Sequence, residues 1–61
     1  MRVLDIYYGN NLYYLIIAEG RDLVETLNDL GEYKTFKLSE LDAFDYKGNV
    51  FDEVGLIRLF K

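Results

Sequence analysis

Residues 2–19 read Arg2-Val-Leu-Asp-Ile-Tyr-Tyr-Gly-Asn-Asn-Leu-Tyr-Tyr-Leu-Ile-Ile-Ala-Glu19. Two runs rich in Val, Ile, Leu and Tyr, over 2–8 and 12–19, flank Gly9-Asn10-Asn11. That pattern predicts a β-hairpin, because Gly and Asn accept the positive φ that tight hairpin turns need. With Asn10-Asn11 as the loop, Tyr8 faces Tyr13, Tyr7 faces Tyr14, Ile6 faces Leu15, Leu4 faces Ile17 and Arg2 faces Glu19. These are favourable cross-strand pairs, the last of opposite charge. A Gly9-Asn10 loop would leave the same residues on each face, whereas a three-residue loop would exchange them. One face then carries Leu4, Ile6, Tyr8, Tyr13, Leu15 and Ile17, and is expected to meet the core. The other carries Val3, Asp5, Tyr7, Tyr14, Ile16 and Ala18, and is expected to face outward.

Working outward from the hairpin, Asp22 and Glu25 form a capping-box-like pair, and Leu23, Leu27 and Leu30 recur at i, i+4 and i+7. With Val24 beside them and Gly31 at the position of a C-terminal cap, the spacing predicts a short helix. Two turns cannot stand alone, so this helix is expected on the hairpin's core face. Tyr33 to Leu38 alternate as a half-buried strand. Ser39 is placed to cap a single helical turn through Phe44, with Asp42 at its third position. Residues 45–53 carry a turn around Lys47-Gly48-Asn49, and Val54 to Phe60 read as a strand. A helix capped by Asn49 is the competing reading of that last stretch. The expected architecture is α+β: one two-layer ββαββ domain over residues 1–61, with about four mainly antiparallel strands and one short helix on one face.

At 61 residues the chain is one domain. Only about 60% of the unfolded surface can be buried at this size, so stability is marginal. Disulfides are excluded by the absence of Cys, and with no His either, a zinc site is nearly excluded. The chain is nevertheless 51% hydrophobic, a surplus that good packing or a homodimer would have to absorb. Asp5 interrupts the opening before a signal-peptide core can form, and the longest apolar run, Leu12 to Ala18, is too short to span a bilayer. A cytoplasmic protein, of a cell or an infected host, is the expectation. The net charge of −4 opposes binding to nucleic-acid phosphates or anionic membranes and suits a protein partner with a basic surface. Pro, His, Gln, Trp and Cys are all absent, and Tyr, Asn, Ile, Leu and Lys are plentiful, a usage that favours A/T-rich codons.

Catalytic equipment is missing from the sequence. A nucleophile needs a base beside it, yet the only Ser is Ser39 and there is no His. No phosphate-binding or dinucleotide fingerprint is present, and no cofactor or metal is expected. Glu40, Asp42, Asp45, Asp52 and Glu53 form an acidic cluster with only Lys47 among them. Their spacing is not that of a calcium loop. They read either as a solvated polar face or as phosphate mimics that would occupy a partner's nucleic-acid groove. The six Tyr and four Phe are the stronger feature. If Tyr7 and Tyr14 point outward together, they supply interface anchors with Val3 and Ile16, or they simply cover the sheet.

Short, acidic, Cys-free and Tyr-rich, the chain resembles in style the small accessory proteins of phages and mobile elements. Several of those inhibit host nucleic-acid enzymes by imitating DNA or plugging a pocket. The likeness carries no residue-level mapping. The expected function is a non-enzymatic protein-binding module, an inhibitor or regulator. It would bind through Val3, Tyr7, Tyr14 and Ile16, with the acidic cluster steering approach. The alternatives are a structural homodimer and, against the charge, a single-stranded nucleic-acid binder.

Overall fold

A computed structural model describes residues 3–50 of the chain. Five strands form one antiparallel sheet: β1 (Asp5–Gly9), β2 (Leu12–Glu19), β3 (Leu23–Asn28), β4 (Tyr33–Lys37) and β5 (Asp45–Asn49). Their spatial order is β4-β3-β2-β1-β5. The only helix among the described residues is a 3₁₀ segment over Leu38–Ala43. No helix among them is long and apolar enough to cross a membrane.

The first hairpin forms in the expected register: Ile6 pairs with Leu15, Tyr7 with Tyr14, and Tyr8 with Tyr13. Asn10 and Asn11 take φ values of 54° and 64°. Two successive positive φ values give the turn the twist that matches the flanking strands. The pairing stops short of Leu4 and Ile17, however. Leu4 turns to φ 70°, its N–H donates to the Ile16 carbonyl at 2.7 Å, and its own carbonyl accepts from Val50 at 3.1 Å. Ile17 lies in a bulge of β2, where the register with β3 shifts between Ile16 and Ala18.

The helix expected from Asp22 to Leu30 is instead β3 and the turn after it, so the described residues form five strands and do not show the expected ββαββ layout. Both periods are present in these residues. Leu23, Leu27 and Leu30 satisfy the helical one, while Val24, Thr26 and Asn28 alternate with Leu23, Glu25 and Leu27 as in a strand. The turn decides between them. The Asn28 side-chain oxygen accepts the N–H groups of Leu30 and Glu32, each at 3.0 Å, and its amide donates to the Glu32 carboxylate at 3.2 Å. Gly31, read as a helix cap, supplies the turn's positive φ of 81°. Thr26 then donates across to the Lys34 carbonyl at 2.9 Å, locking β3 to β4.

Two further readings shift. Residues 45–49 are strand, and Gly48 (φ 126°) marks a bulge against β1 rather than a turn. The single helical turn after β4 is present, but Glu40, not Ser39, secures its start: its carboxylate accepts the Lys37 N–H at 3.1 Å. The expected strand over Val54 to Phe60 lies outside the described residues.

Strand order also requires that one face of the sheet be covered. β4 and β5 lie on opposite edges, about 19 Å apart at the usual strand spacing of roughly 4.8 Å. The chain between them must therefore cross one face of the sheet. It lays Leu38, Leu41 and Phe44 on the face of Tyr7, Tyr14, Ile16, Val24 and Phe36. Ile16 (0% exposed), Val24 (1%) and Leu41 (2%) are the centre of this core. The rings of Tyr14, Phe36 and Phe44 interlock around it with centroids 5.1–5.5 Å apart.

Candidate functional site

The face predicted to be outward is thus a covered one, and Ile6, on the face predicted to meet the core, is buried too (0% exposed). Tyr14 (3% exposed) and Ile16 (0%) are core residues, and Tyr7 is half-buried beside them. Their enclosure follows from the crossing connection: with no helix over 22–30, the 3₁₀ segment is the cover, and it lies on the opposite face from the one expected. Of the four residues expected to meet a partner, only Val3 is exposed.

Desolvation raises the Tyr7 hydroxyl above its ordinary pKa of 10.0, and the nearby charges of Asp5, Tyr46, Asp42 and Glu19 raise it further. Its ring meets Tyr46 edge-on at 5.4 Å. Next to this pair, the buried Asp5 carboxylate accepts hydrogen bonds from the Asn49 amide (2.9 Å) and the Tyr46 hydroxyl (3.3 Å). The same Asn49 amide donates to the Val3 carbonyl at 3.1 Å. This network joins β1 to β5 and is a structural clamp, since every buried side-chain polar atom among the described residues has a partner.

The acidic residues divide. Glu40 and Asp42 are exposed on the 3₁₀ segment and Asp45 is exposed on β5; Asp52 and Glu53 lie outside the described residues. Glu40 is already committed to the Lys37 N–H. No cluster of three metal-ligating side chains occurs among the described residues.

The surface that does lie open is on the other side of the sheet, toward β3 and β4. Strand alternation places Leu23, Glu25 and Leu27 there, with their partners Lys37, Thr35 and Tyr33. Leu23 is 48% exposed and Tyr33 73%, and Leu30, at the turn joining the strands, is 68% exposed. Leu27, the cross-strand partner of Tyr33, is half-buried, and Glu25 separates it from Leu23. A shallow depression of about 260 Å³ adjoins Leu23, lined also by Ala18, Glu19, Gly20, Val24, Glu25 and Thr35. It lies beside the β2 bulge and offers the carboxylates of Glu19 and Glu25 and the hydroxyl of Thr35 around an aliphatic floor. Further along the same face the Tyr8 and Tyr13 rings pack at a tilt of 58° with centroids 4.8 Å apart, and the Lys47 ammonium lies 6.0 Å from the Tyr8 centroid.

Sequence reasoning missed this patch because it assigned Leu23, Leu27 and Leu30 to a buried helical stripe. The signal that identifies it is the two-residue alternation of Leu23, Glu25 and Leu27, which pairs naturally with Tyr33, Thr35 and Lys37. Comparison with protein-family models, with curated proteins and with solved structures finds no match to the chain.

Proposed function

We propose that the protein is a non-enzymatic protein-binding module, a small acidic inhibitor or regulator, whose contact surface is the β3–β4 end of the sheet. The observation that carries this reading is the exposure of Leu30 and Tyr33 beside half-buried Leu27 at the turn end of the β3–β4 hairpin, with exposed Leu23 farther along the same face beyond Glu25. Single exposed apolar residues are ordinary, but a grouped set around one hairpin costs hydration that burial by a partner would recover. Tyr33 has the character of an anchor, a large rigid ring with a polar tip. The net charge of −4, with Asp42 and Asp45 exposed on neighbouring elements, speeds encounter with a partner whose surface is basic.

The test is capture from a lysate of the source cells on immobilised protein, comparing the wild type with the double variant Leu23→Ser, Tyr33→Ser. Both side chains are exposed, so circular dichroism should stay native. A protein held by the wild type and lost by the variant is the expected result. Equal retention by both forms, or retention of nothing, overturns the reading. A second copy of the chain could cover the same patch, and light scattering separates that case: a mass independent of concentration excludes the homodimer.

A further inference from the structure

We infer that the outer edge of β4 accepts an added strand from the partner, an extended segment that sets a carboxylate opposite Lys34 and an apolar residue opposite Phe36. This rests on the protein-binding reading above and names how the partner is held.

β4 is an edge strand, paired only with β3 among the described residues. In an antiparallel pair, alternate residues send both backbone groups to the neighbour and the residues between send theirs away. Here Asn28 N–H donates to the Glu32 carbonyl and Leu38 N–H to the Asp22 carbonyl. Those two bonds fix the phase: Lys34 and Phe36 bond inward to β3, while Tyr33, Thr35 and Lys37 aim their backbone groups at the free edge. Lys37 N–H is taken by the Glu40 carboxylate. No hydrogen bond among the described residues reaches the N–H of Tyr33 or Thr35, and both residues are exposed. The open template is therefore short and bounded at one end by Glu40.

Side chains choose the occupant. Lys34 and Phe36 fall at positions where a partner strand's residues stand opposite without exchanging backbone bonds, the closer of the two spacings. A carboxylate facing Lys34 and an aliphatic group facing Phe36 would be favourable pairs there. Self-pairing fits badly. Two copies bonded through Tyr33 and Thr35 would place Lys34 directly against Lys34 of the other copy. Two copies centred on Thr35 would have to strip Glu40 from Lys37. Lys34, an edge lysine, and Glu40, through its bond to the Lys37 N–H, thus guard the edge against the chain itself while leaving it fit for a strand of complementary sign.

The probe is the capped peptide Thr-Val-Thr-Glu-Thr, which in antiparallel register sets Val opposite Phe36 and Glu opposite Lys34, and its counterpart with Lys in place of Glu. Both are titrated into the ¹⁵N-labelled protein at about 0.15 M salt, where charges beyond roughly 8 Å are screened. The expected result is selective shift and slowed hydrogen exchange at the Tyr33 and Thr35 amides. The Glu peptide should bind several-fold more tightly than the Lys peptide. Thr35→Pro removes an N–H that β3 does not use, so the sheet should survive and the response should vanish. Shifts elsewhere with none at Tyr33 and Thr35, or a Lys peptide that binds as well, overturn the inference. If the captured protein is lost by Leu23→Ser, Tyr33→Ser yet retained in full by Thr35→Pro, the binding module stands and strand addition falls.

Discussion

Gly9 and Phe44 offer the sharpest check on the packing. Gly9 is not among the positive-φ residues, so its backbone does not demand glycine. What demands it is space: a Cβ at this position would lie 2.8 Å from Cγ of Phe44, 2.9 Å from Cδ1 and 3.0 Å from Cδ2. Carbon atoms rest about 3.5–4.0 Å apart, so in Gly9→Ala the ring must retreat by roughly 0.7 Å. It cannot do so freely, because Tyr14 and Phe36 hold it from other sides. Overpacking of this kind costs about 1–3 kcal/mol. Replacing glycine in a strand returns about 0.5–1 kcal/mol by restricting the unfolded chain. The net loss is about 1–2 kcal/mol, or roughly 5–15 °C in Tm for a domain of this size. In a Phe44→Ala background the clash is gone, and the same Gly9→Ala change should stabilise by about 0.5–1 kcal/mol. The reversal of sign is the prediction, and a double-mutant cycle by urea denaturation measures it. Phe44→Ala alone removes about 3 kcal/mol from a fold worth only some 3–9 kcal/mol, so all four proteins are compared in the same sulfate concentration to keep them folded. An equal cost of Gly9→Ala in both backgrounds would refute the reasoning.

Two other perturbations test separate parts of the fold. Asn28→Ala leaves the Leu30 and Glu32 N–H groups without their shared acceptor and should cost about 1–3 kcal/mol, read from the urea midpoint, with exchange quickening first at those amides. The hydroxyl of Tyr7 ionises less readily in the folded state than in the unfolded one, so above about pH 10 the unfolded chain sheds its proton first and stability falls as pH rises. Tyr7→Phe should flatten that decline between pH 9 and pH 11; an unchanged slope would show that other groups cause it.

The sequence disclosed the first hairpin, its Asn10-Asn11 loop and its register because those depend on neighbours in the chain. It disclosed that Ile6 is buried, but not that the opposite face, with Tyr14 and Ile16, is buried as well. Tyr7 and Tyr14 pair identically whichever side is covered, and the cover comes from Leu38, Leu41 and Phe44, far along the chain. Residues 22–31 were ambiguous for a different reason: leucines spaced for a helix sit among Val24 and Thr26, which favour strands, and Asn28 resolves the matter only through side-chain bonds to a turn. The candidate surface was hidden by the same ambiguity, since Leu23 and Leu27 cover a core if helical and a free face if extended. Glu40 was read as one charge in an acidic run, and its bond to Lys37 became visible only with the backbone in place.

The route from β4 to β5 has a kinetic consequence. β1 to β4 are neighbours in space in the order in which they occur in the chain, so each pairing closes a short loop and can form within microseconds. β5 is different: Asp45–Asn49 must find Asp5–Gly9 across nearly the whole described length. Until it does, a four-stranded meander would hold its aromatic side bare, with β1 as an unguarded rim. Contacts of such long sequence separation slow folding, so docking of the 3₁₀ segment and the fifth strand should be the step that sets its rate.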